Sequence, residues 1–318
     1  MSEREIAILG YGPQGRALAL NLKDSGRKVT VGLPAKSRSR KIAARDRIVN
    51  ITTPAGAVKT ADIIVFAFPD YLHQRVFNES ISPNLKSDAA LIFLHGFSIH
   101  FDLISPPKRS DIILLAPLGP GNAVRDSYLN RDSIGYFYCI HQDGSGSAHA
   151  VLDELVRDLK IDRKRLIGTS FRDEAVGDLF GEQAILCGGL SQLLLAGFET
   201  LVSAGLEPEK AYLEVAYQID LIVDLIKKYG IAGMYERISV AARFGSYESG
   251  PKIIDNAVRK RMEECLNDIE SGRFARRLND LKDGDIKELN RNLSKLTSPA
   301  FEKAAQKFSR VRKSGKET

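Results

Sequence analysis

Cysteine is scarce in this sequence. The three cysteines, Cys139, Cys187 and Cys265, lie far apart, so they form neither a disulfide framework nor the ligand spacing of a zinc site. Sparse, unpaired thiols are typical of proteins that work in a reducing compartment. We therefore predict a cytoplasmic protein without structural disulfides.

Long apolar runs and a cleavable leader are also missing. No run approaches the length that spans a bilayer, and residues 1–5 are too charged for a signal peptide. The net charge of +6 is spread along the chain and thickest after Lys303, which indicates a solvated surface. We expect neither a membrane nor a nucleic acid as a partner, and we assign some basic residues to a phosphorylated cofactor.

The start of the chain has the pattern of a dinucleotide-binding fold. An apolar run at 6–9 precedes a turn with Gly10, Gly12 and Gly15, and helical spacing follows from Arg16. In this context the first glycine permits a tight turn, the second lets the backbone approach a pyrophosphate, and the third lets the helix pack on the strand. The phosphates would rest on the amides at the N-terminus of the helix.

An acidic residue is lacking after the second predicted strand, at 28–32. In folds that bind NAD, an Asp or Glu at this point binds the ribose 2′-hydroxyl. Here the strand is followed by hydroxyl and cationic side chains at 36–41, which suit the 2′-phosphate through charge-assisted hydrogen bonds. The pattern favours NADP(H) as cofactor, and a basic surface loop is the alternative.

Strands and helices alternate up to Gly168, and beyond it the apolar spacing is helical with no convincing strand. We predict a doubly wound α/β Rossmann domain at 1–168 and an all-helical domain with a polar C-terminal tail at 169–318. Ligands gather at the carboxyl ends of such strands, where Asp70, His95 and Gly121 follow three of them. The apolar helix predicted from 211 to about 227 should be buried, within its domain or against a partner chain.

Two pairs of oxygen-bearing side chains have helical spacing in the second domain. Asp178 and Glu182 lie four residues apart, and Glu214 and Gln218 repeat the spacing, so each pair shares a helix face. Oxygen ligands on helix faces suit Mg²⁺. Two solvated helix faces are the alternative, and spacing by itself leaves both readings open.

Together these motifs resemble the ketol-acid reductoisomerase family of the short, class I type. The resemblance runs from 6 to about 275 and rests on the segments 10–15, 95–100, 197–202 and 221–226 and on the hexapeptide DLFGEQ at 178–183. It implies conversion of acetohydroxy acids to dihydroxy acids with NADPH and Mg²⁺ in branched-chain amino acid biosynthesis, by alkyl migration and then hydride transfer. It also implies knotted helical domains that interlock as a homodimer or higher homo-oligomer with shared active sites.

The resemblance also implies roles for individual residues. His95 and Ser239 match catalytic positions, although His95 could instead only orient its loop and Ser239 could only cap a helix. The residues matching metal ligands are Asp178, Glu182, Glu214 and Gln218. Those matching cofactor contacts are Gly10, Tyr11, Gly12, Pro13, Gln14, Gly15, Ser37, Arg38, Ser39, Asp70, His73 and Gly121.

The chain departs from the family pattern at several positions. Leu118 stands where the family has a catalytic lysine, Asn122 where it has a histidine, and Gln218 where it has a fourth metal carboxylate. Pro34 replaces an arginine near the 2′-phosphate, which leaves Lys36, Arg38 or Arg40 to supply the charge, and His73 replaces a glutamine.

These departures shape the functional prediction. Alkyl migration needs strong stabilisation of developing charge, whereas hydride transfer to a polarised carbonyl needs less. We predict an NADP(H)-dependent oxidoreductase that acts on a small metal-bound 2-oxo acid or a related carbonyl or imine, with the isomerase step impaired. Two alternatives stay open: a functional ketol-acid reductoisomerase that converts 2-acetolactate to 2,3-dihydroxyisovalerate, and a non-catalytic NADP-binding subunit.

Overall fold

A computed structural model of the protein describes residues 4–132 and 134–314. For residues 283 and 309–314 it describes the backbone only. The chain forms two compact units, one of Met1–Asp178 with Gly272–Asp280 and one of Leu179–Ser271 with Leu281–Thr318. The first unit thus extends ten residues past the predicted boundary at 168, and it also includes the short segment Gly272–Asp280 from the C-terminal region. The end of the predicted polar tail, 315–318, lies outside the described residues.

The first unit is built on an eight-stranded sheet in the order β3-β2-β1-β4-β5-β6-β7-β8. Strands β1 to β6 pair in parallel, whereas β7 is antiparallel to β6 and parallel to β8. The order reverses at β1, which places a crevice for a ligand at the carboxyl ends of β1 and β4. The strands are β1 Ile6–Leu9, β2 Val29–Gly32, β3 Asn50–Thr52, β4 Ile63–Phe66, β5 Ala90–Phe93, β6 Asp111–Pro117, β7 Tyr136–Asp143 and β8 Leu166–Gly168.

Helices cover both faces of the sheet, because its central strands are apolar on both sides. One face packs on α1, α6 and α7 through side chains such as Leu18, Val124 and Leu152. The other face includes Val58 of α3 and Phe171 of α8. The helices of this unit are α1 Pro13–Asp24, α2 Ser39–Arg45, α3 Pro54–Thr60, α4 His73–Val76, α5 Phe97–His100, α6 Gly121–Asn130, α7 Ala148–Asp158, α8 Phe171–Phe180, whose last two residues belong to the second unit, and α14 Arg273–Asn279.

The second unit is helical throughout the part of it that the structure describes. Its helices are α9 Gly188–Ser203, α10 Pro208–Tyr212, α11 Ile219–Tyr235, α12 Val240–Ile253, α13 Asn256–Glu270, α15 Asp283–Leu293 and α16 Pro299–Ser314. Two π-helical segments, Gly181–Leu186 and Leu213–Tyr217, interrupt the α-helical hydrogen bonding. The predicted fold class, a doubly wound Rossmann domain followed by a helical domain, is confirmed, and the knotted course of the helices stays a prediction.

Few large side chains are buried in the helical unit. Phe198, Met234 and Ile269 are among them, whereas Leu221 is 61% exposed, Phe244 65% and Tyr247 80%. The apolar helix predicted at 211–227 is therefore not covered within this chain. It is also not continuous, because the π-helical segment Leu213–Tyr217 separates α10 from α11. Contiguous exposed apolar side chains of this kind are typical of surfaces that contact another protein.

The helical run Phe171–Ser203 is long and apolar enough to cross a membrane by length and composition, with a mean hydropathy of 1.6 over its best window. Asp178 and Glu182 interrupt its apolar residues, so the sequence contains no uninterrupted apolar run of that length, as expected. Length and composition are equally met by an apolar helix that packs against another protein chain.

The two edge strands β3 and β8 were not expected from the sequence. Each has three residues, none of them buried, so neither shows the continuous apolar run that predicts a buried strand. Both lie at the outer ends of the sheet order, where one side of the strand has no neighbouring strand.

Candidate active site

The predicted phosphate turn adopts the geometry that the glycine pattern requires. Gly10 has a φ of +101°, and a Cβ there would lie 2.2 Å from the carbonyl oxygen of Ala67, so any other residue would clash. Gly12 is the N-cap of α1, has no side-chain cap, and would face open space with a Cβ. The first amides of α1 are therefore accessible to a phosphate group.

The loop after β6 is fastened to this turn. The amide nitrogen Nε2 of Gln14 donates to the carbonyl oxygen of Gly119 at 2.8 Å. Gly121 approaches so closely that a Cβ would lie 2.2 Å from the backbone carbon and oxygen of Pro13. The other amide atom of Gln14, Oε1, is buried without a hydrogen-bond partner among the described residues, which is what a site awaiting a polar ligand leaves behind. These features fit a bound dinucleotide.

The cationic residues after β2 differ in their surroundings. The guanidinium of Arg40 donates to the carbonyl oxygens of Leu33 and Thr52 at 2.9 and 3.0 Å, so it ties the backbone of β2 to that of β3. Lys36 and Arg38 are exposed. Of the three cations considered for a 2′-phosphate, Arg40 is thus engaged by the fold, and the other two face solvent.

The neighbouring serines form a small turn. The Oγ of Ser37 accepts a hydrogen bond from the backbone nitrogen of Ser39 at 3.3 Å, and both residues are half-buried. This orders the loop between β2 and α2 and brings both hydroxyls to one short segment. Their predicted contact with the cofactor stays a prediction.

Tyr11 lies in the phosphate turn, but its hydroxyl is directed into the protein. The hydroxyl donates to Asp46 at 3.0 Å, and Arg16 pairs with the same carboxylate at 2.6 Å. The hydrogen bond to Arg16 is the main cause that lowers the pKa of Asp46, while burial and the Asp46 contact raise the pKa of Tyr11. The Asp46 charge near the turn is therefore compensated.

The loop after β4 places His73 in the interior. Its Nε2 lies 2.9 Å from the carbonyl oxygen of Phe68, to which it donates, and its Nδ1 lies 2.7 Å from the hydroxyl of Ser98. Burial lowers the pKa of His73. Since both ring nitrogens are engaged within the protein, the ring fixes the loop, while Asp70 at its start remains partly exposed. A direct contact of either residue with the cofactor stays a prediction.

His95 lies between two carboxylates just beyond the end of β5. Its Nδ1 is 3.1 Å from Oε2 of Glu174 and 3.6 Å from Oδ2 of Asp178. Burial lowers the pKa of His95, but the hydrogen bond and charge of Glu174 outweigh it and raise the pKa to about 9. The imidazole is therefore a cation at neutral pH. Glu174 was not identified from the sequence, because it lies 79 residues from its partner.

The loop 117–122 carries no charged side chain. The backbone nitrogen of Leu118 donates to the carbonyl oxygen of Gly135 at 2.9 Å, and its side chain is 47% exposed. Asn122 is exposed at the start of α6. The position at which the family carries an ammonium group therefore presents an apolar surface.

Two of the predicted metal ligands of the helical unit lie on its π-helical segments. Glu182 falls in Gly181–Leu186 and Glu214 falls in Leu213–Tyr217, and Gln218 is the residue that follows the second segment. Such segments are frequent at functional sites because they displace side chains from the α-helical register. The amide of Gln218 donates to the Glu214 carboxylate at 3.4 Å.

The predicted metal ligands have the right chemistry for Mg²⁺, since carboxylate and amide oxygens suit this ion. Among the described residues, however, no group of three or more His, Cys, Asp and Glu side chains is close enough to hold a metal ion. Ser239 is the N-cap of α12, where its Oγ accepts from the backbone nitrogen of Ala242 at 3.1 Å, as in the helix-cap alternative.

Comparison with known proteins gives consistent matches along the chain. Residues 1–157 match the family described as acetohydroxy acid isomeroreductase, NADPH-binding domain, and residues 171–314 match ketol-acid reductoisomerase, C-terminal domain. A protein named ketol-acid reductoisomerase (NADP(+)) from Xanthomonas euvesicatoria pv. vesicatoria is 44% identical over 275 residues, which cover 86% of this chain and 82% of that protein. One of the same name from Saccharolobus solfataricus is 44% identical over 86% of this chain and 81% of its own.

A solved structure is also similar over nearly the whole chain. It is an NADH-preferring ketol-acid reductoisomerase from an uncultured archean, with a TM-score of 0.89 and 34% identity. The similarity covers 97% of this chain and 94% of that one. The order of strands and helices described above is therefore shared with a protein of that name.

The close approach of the loop 117–122 to the phosphate turn can be tested with alanine. We expect Gly121→Ala to weaken NADPH binding about tenfold or more, because its Cβ would push the loop away from Pro13. Gly119→Ala is the matched control, since a Cβ there would make only ordinary contacts at 3.5 and 3.6 Å. Titration of NADPH fluorescence gives both dissociation constants. Equal constants for the two variants would contradict the role of this backbone contact.

Proposed function

The chain belongs to the ketol-acid reductoisomerase family, and we propose that it catalyses the complete reaction of that family with NADPH. In this reaction 2-acetolactate or a related acetohydroxy acid is converted to a 2,3-dihydroxy acid. The proposal is supported by relatives of that name that are 44% identical over 86% of this chain. The prediction of an impaired isomerase has no support from these relatives, and neither has a non-catalytic subunit.

The dinucleotide site supports NADP(H) as cofactor. The uncapped N-terminus of α1 suits the pyrophosphate, and Oε1 of Gln14 would accept a hydrogen bond from the bound group. Exposed Lys36 and Arg38, with no carboxylate at the end of β2, suit a 2′-phosphate. The coenzyme would supply the hydride.

His95 is the proposed hydrogen-bond and proton donor to the substrate. It lies beyond the carboxyl end of β5, the edge of the sheet where ligands of this fold bind. Its pKa of about 9 keeps the ring protonated at neutral pH, so it can stabilise negative charge that develops on a carbonyl oxygen. This placement of His95 between Glu174 and Asp178 is the observation that carries the proposal.

The incomplete metal site leads us to propose a homodimer or higher homo-oligomer. The residues that would hold Mg²⁺ are Asp178, Glu182, Glu214 and Gln218, with a second copy completing the set. The ion would polarise the oxygens of the substrate when bound. A second copy would also cover the exposed apolar side chains of α11 and α12.

A second candidate function is reduction without alkyl migration. It is favoured by one observation, the half-exposed leucine at residue 118 in a loop without a charged side chain. Migration builds up charge that an ammonium group would stabilise, and Gln218 is a weaker metal ligand than a carboxylate. We further propose that the protein acts in the cytoplasm.

The two candidates differ in their substrates. We expect comparable kcat values with 2-acetolactate and with a 3-hydroxy-2-oxo acid, which has already undergone migration, in assays that follow NADPH oxidation. A rate about 10² to 10³ times higher with the second substrate would replace the first candidate by reduction alone. In that case Leu118→Lys with Asn122→His and Gln218→Glu should raise turnover of 2-acetolactate only. With the complete reaction intact, the triple variant should give no selective gain.

The loop after β2 should set the preference for NADPH. We expect kcat/KM to be higher with NADPH than with NADH, and Arg38→Glu to reduce that ratio about tenfold or more by removing a charge-assisted contact. Arg40→Gln is the control: it should lower the melting temperature and leave the ratio unchanged, because its guanidinium binds backbone carbonyls. A ratio that falls in Arg40→Gln but not in Arg38→Glu would contradict these assignments.

The exposed apolar helices should form the contact between copies. We expect sedimentation at micromolar concentration to show at least twice the mass of the chain, and Leu221→Glu to shift the protein towards monomer with loss of activity. Leu129→Glu is the matched control, since this leucine of α6 is 57% exposed, close to the 61% of Leu221. An active wild-type monomer would overturn both the dimer and the shared metal site.

A further inference from the structure

Glu174 is a buried carboxylate with two hydrogen-bond donors on one oxygen. The residue lies in α8 and is 6% exposed. Its Oε2 accepts from the backbone nitrogen of Gly96 at 2.5 Å and lies 3.1 Å from Nδ1 of His95. A buried carboxylate is costly unless donors satisfy it, and here both donors come from the segment that follows β5. Glu174 therefore joins α8 to the His95 segment.

The backbone at Gly96 is shaped for this contact. A Cβ at residue 96 would lie 2.3 Å from the carbonyl oxygen of Phe171 and 2.9 Å from Oε2 of Glu174. Glycine lets the first turn of α8 approach the turn after β5, with Phe171 anchored in the core beneath the sheet. The carboxylate is thus held from both ends, by its helix and by the turn that it contacts.

The contact with Glu174 determines which ring nitrogen of His95 donates a hydrogen bond to the protein. A carboxylate only accepts hydrogen bonds, so Nδ1 is the donor, and Nε2 has no hydrogen-bond partner among the described residues. Asp178 lies 3.6 Å from the same Nδ1 and competes for it. Glu174 is closer and more deeply buried, with a side chain 5% exposed against 48% for Asp178.

We propose that Glu174 is a positioning residue for His95: it accepts the Nδ1 hydrogen, holds this nitrogen closer to itself than to Asp178, and leaves Nε2 to face the substrate. This inference rests on the proposed function, in which His95 contacts the substrate. The same arrangement of a carboxylate behind an imidazole orients the ring in many enzymes that use histidine as an acid or base.

The test compares Glu174→Ala and Glu174→Gln with the matched control Asp173→Asn. Asp173 is the neighbouring carboxylate of α8, but it is exposed and pairs with Arg172. Glutamine keeps an acceptor of the same length for Gly96 and His95, so Glu174→Gln should retain more activity than Glu174→Ala. We expect kcat to fall about 10²-fold in Glu174→Ala, with the dissociation constant of NADPH unchanged. Asp173→Asn should behave as wild type.

A second readout reports on the ring itself. In ¹⁵N spectra of the histidine side chains recorded about one pH unit above the pKa of about 9, where the ring is mostly neutral, wild type should show hydrogen on Nδ1 of His95, with His95→Asn to assign the signals. Glu174→Ala should shift the ring towards the other tautomer or a mixture. If Glu174→Ala fails to fold, Glu174→Gln decides by the same measurements, with a smaller loss of kcat and a partial change in the spectrum.

The outcomes separate this inference from the proposed function. An inactive wild type with both substrates would overturn the proposed function, and the ¹⁵N spectra would still decide whether Glu174 sets the tautomer of His95. With an active wild type, unchanged kcat or unchanged ¹⁵N signals in both Glu174 variants would overturn the positioning role. A lower melting temperature with kcat and the ¹⁵N signals unchanged would show that Glu174 only stabilises the fold.

Discussion

The candidate site depends on close backbone contacts at the carboxyl edge of the sheet, where glycine removes the Cβ that would keep segments apart. Gly10 approaches Ala67, Gly121 approaches Pro13, and Gly96 approaches Phe171 at distances that no side chain could tolerate. These contacts join the phosphate turn to the loops after β4 and β6, and the His95 turn to α8. Because packed backbone is stiff, the polar groups on these segments have fixed positions before any ligand binds.

Electrostatics at this edge follow from the same packing. His95 is charged because Glu174 is held close to it, and Glu174 can be buried because Gly96 and His95 satisfy it. The neighbouring loop 117–122 contributes no charge of its own. Around the expected position of the substrate, His95 therefore supplies positive charge, whereas the loop 117–122 lacks the lysine and histidine expected for the family. This difference separates the two candidate functions.

The helical unit follows a different principle. Its helices leave large apolar side chains such as Tyr247 and Phe244 exposed, and only a few are buried within the chain. A unit of this kind gains too little from its own core to leave so much apolar surface in water. The proposed homo-oligomer would cover these side chains and bring further metal ligands to the site in the same contact.

The sequence by itself determined the fold class, the phosphate turn and the family, because these depend on local patterns: apolar runs, glycine spacing and the DLFGEQ hexapeptide at 178–183. It did not indicate the short edge strands β3 and β8, none of whose residues is buried. Only the tertiary structure assigned Arg40 and His73 to backbone and hydroxyl partners within the fold and identified Glu174 behind His95. Partners such as these lie up to 79 residues apart, and a hydrogen bond between distant segments leaves no periodic pattern in the sequence.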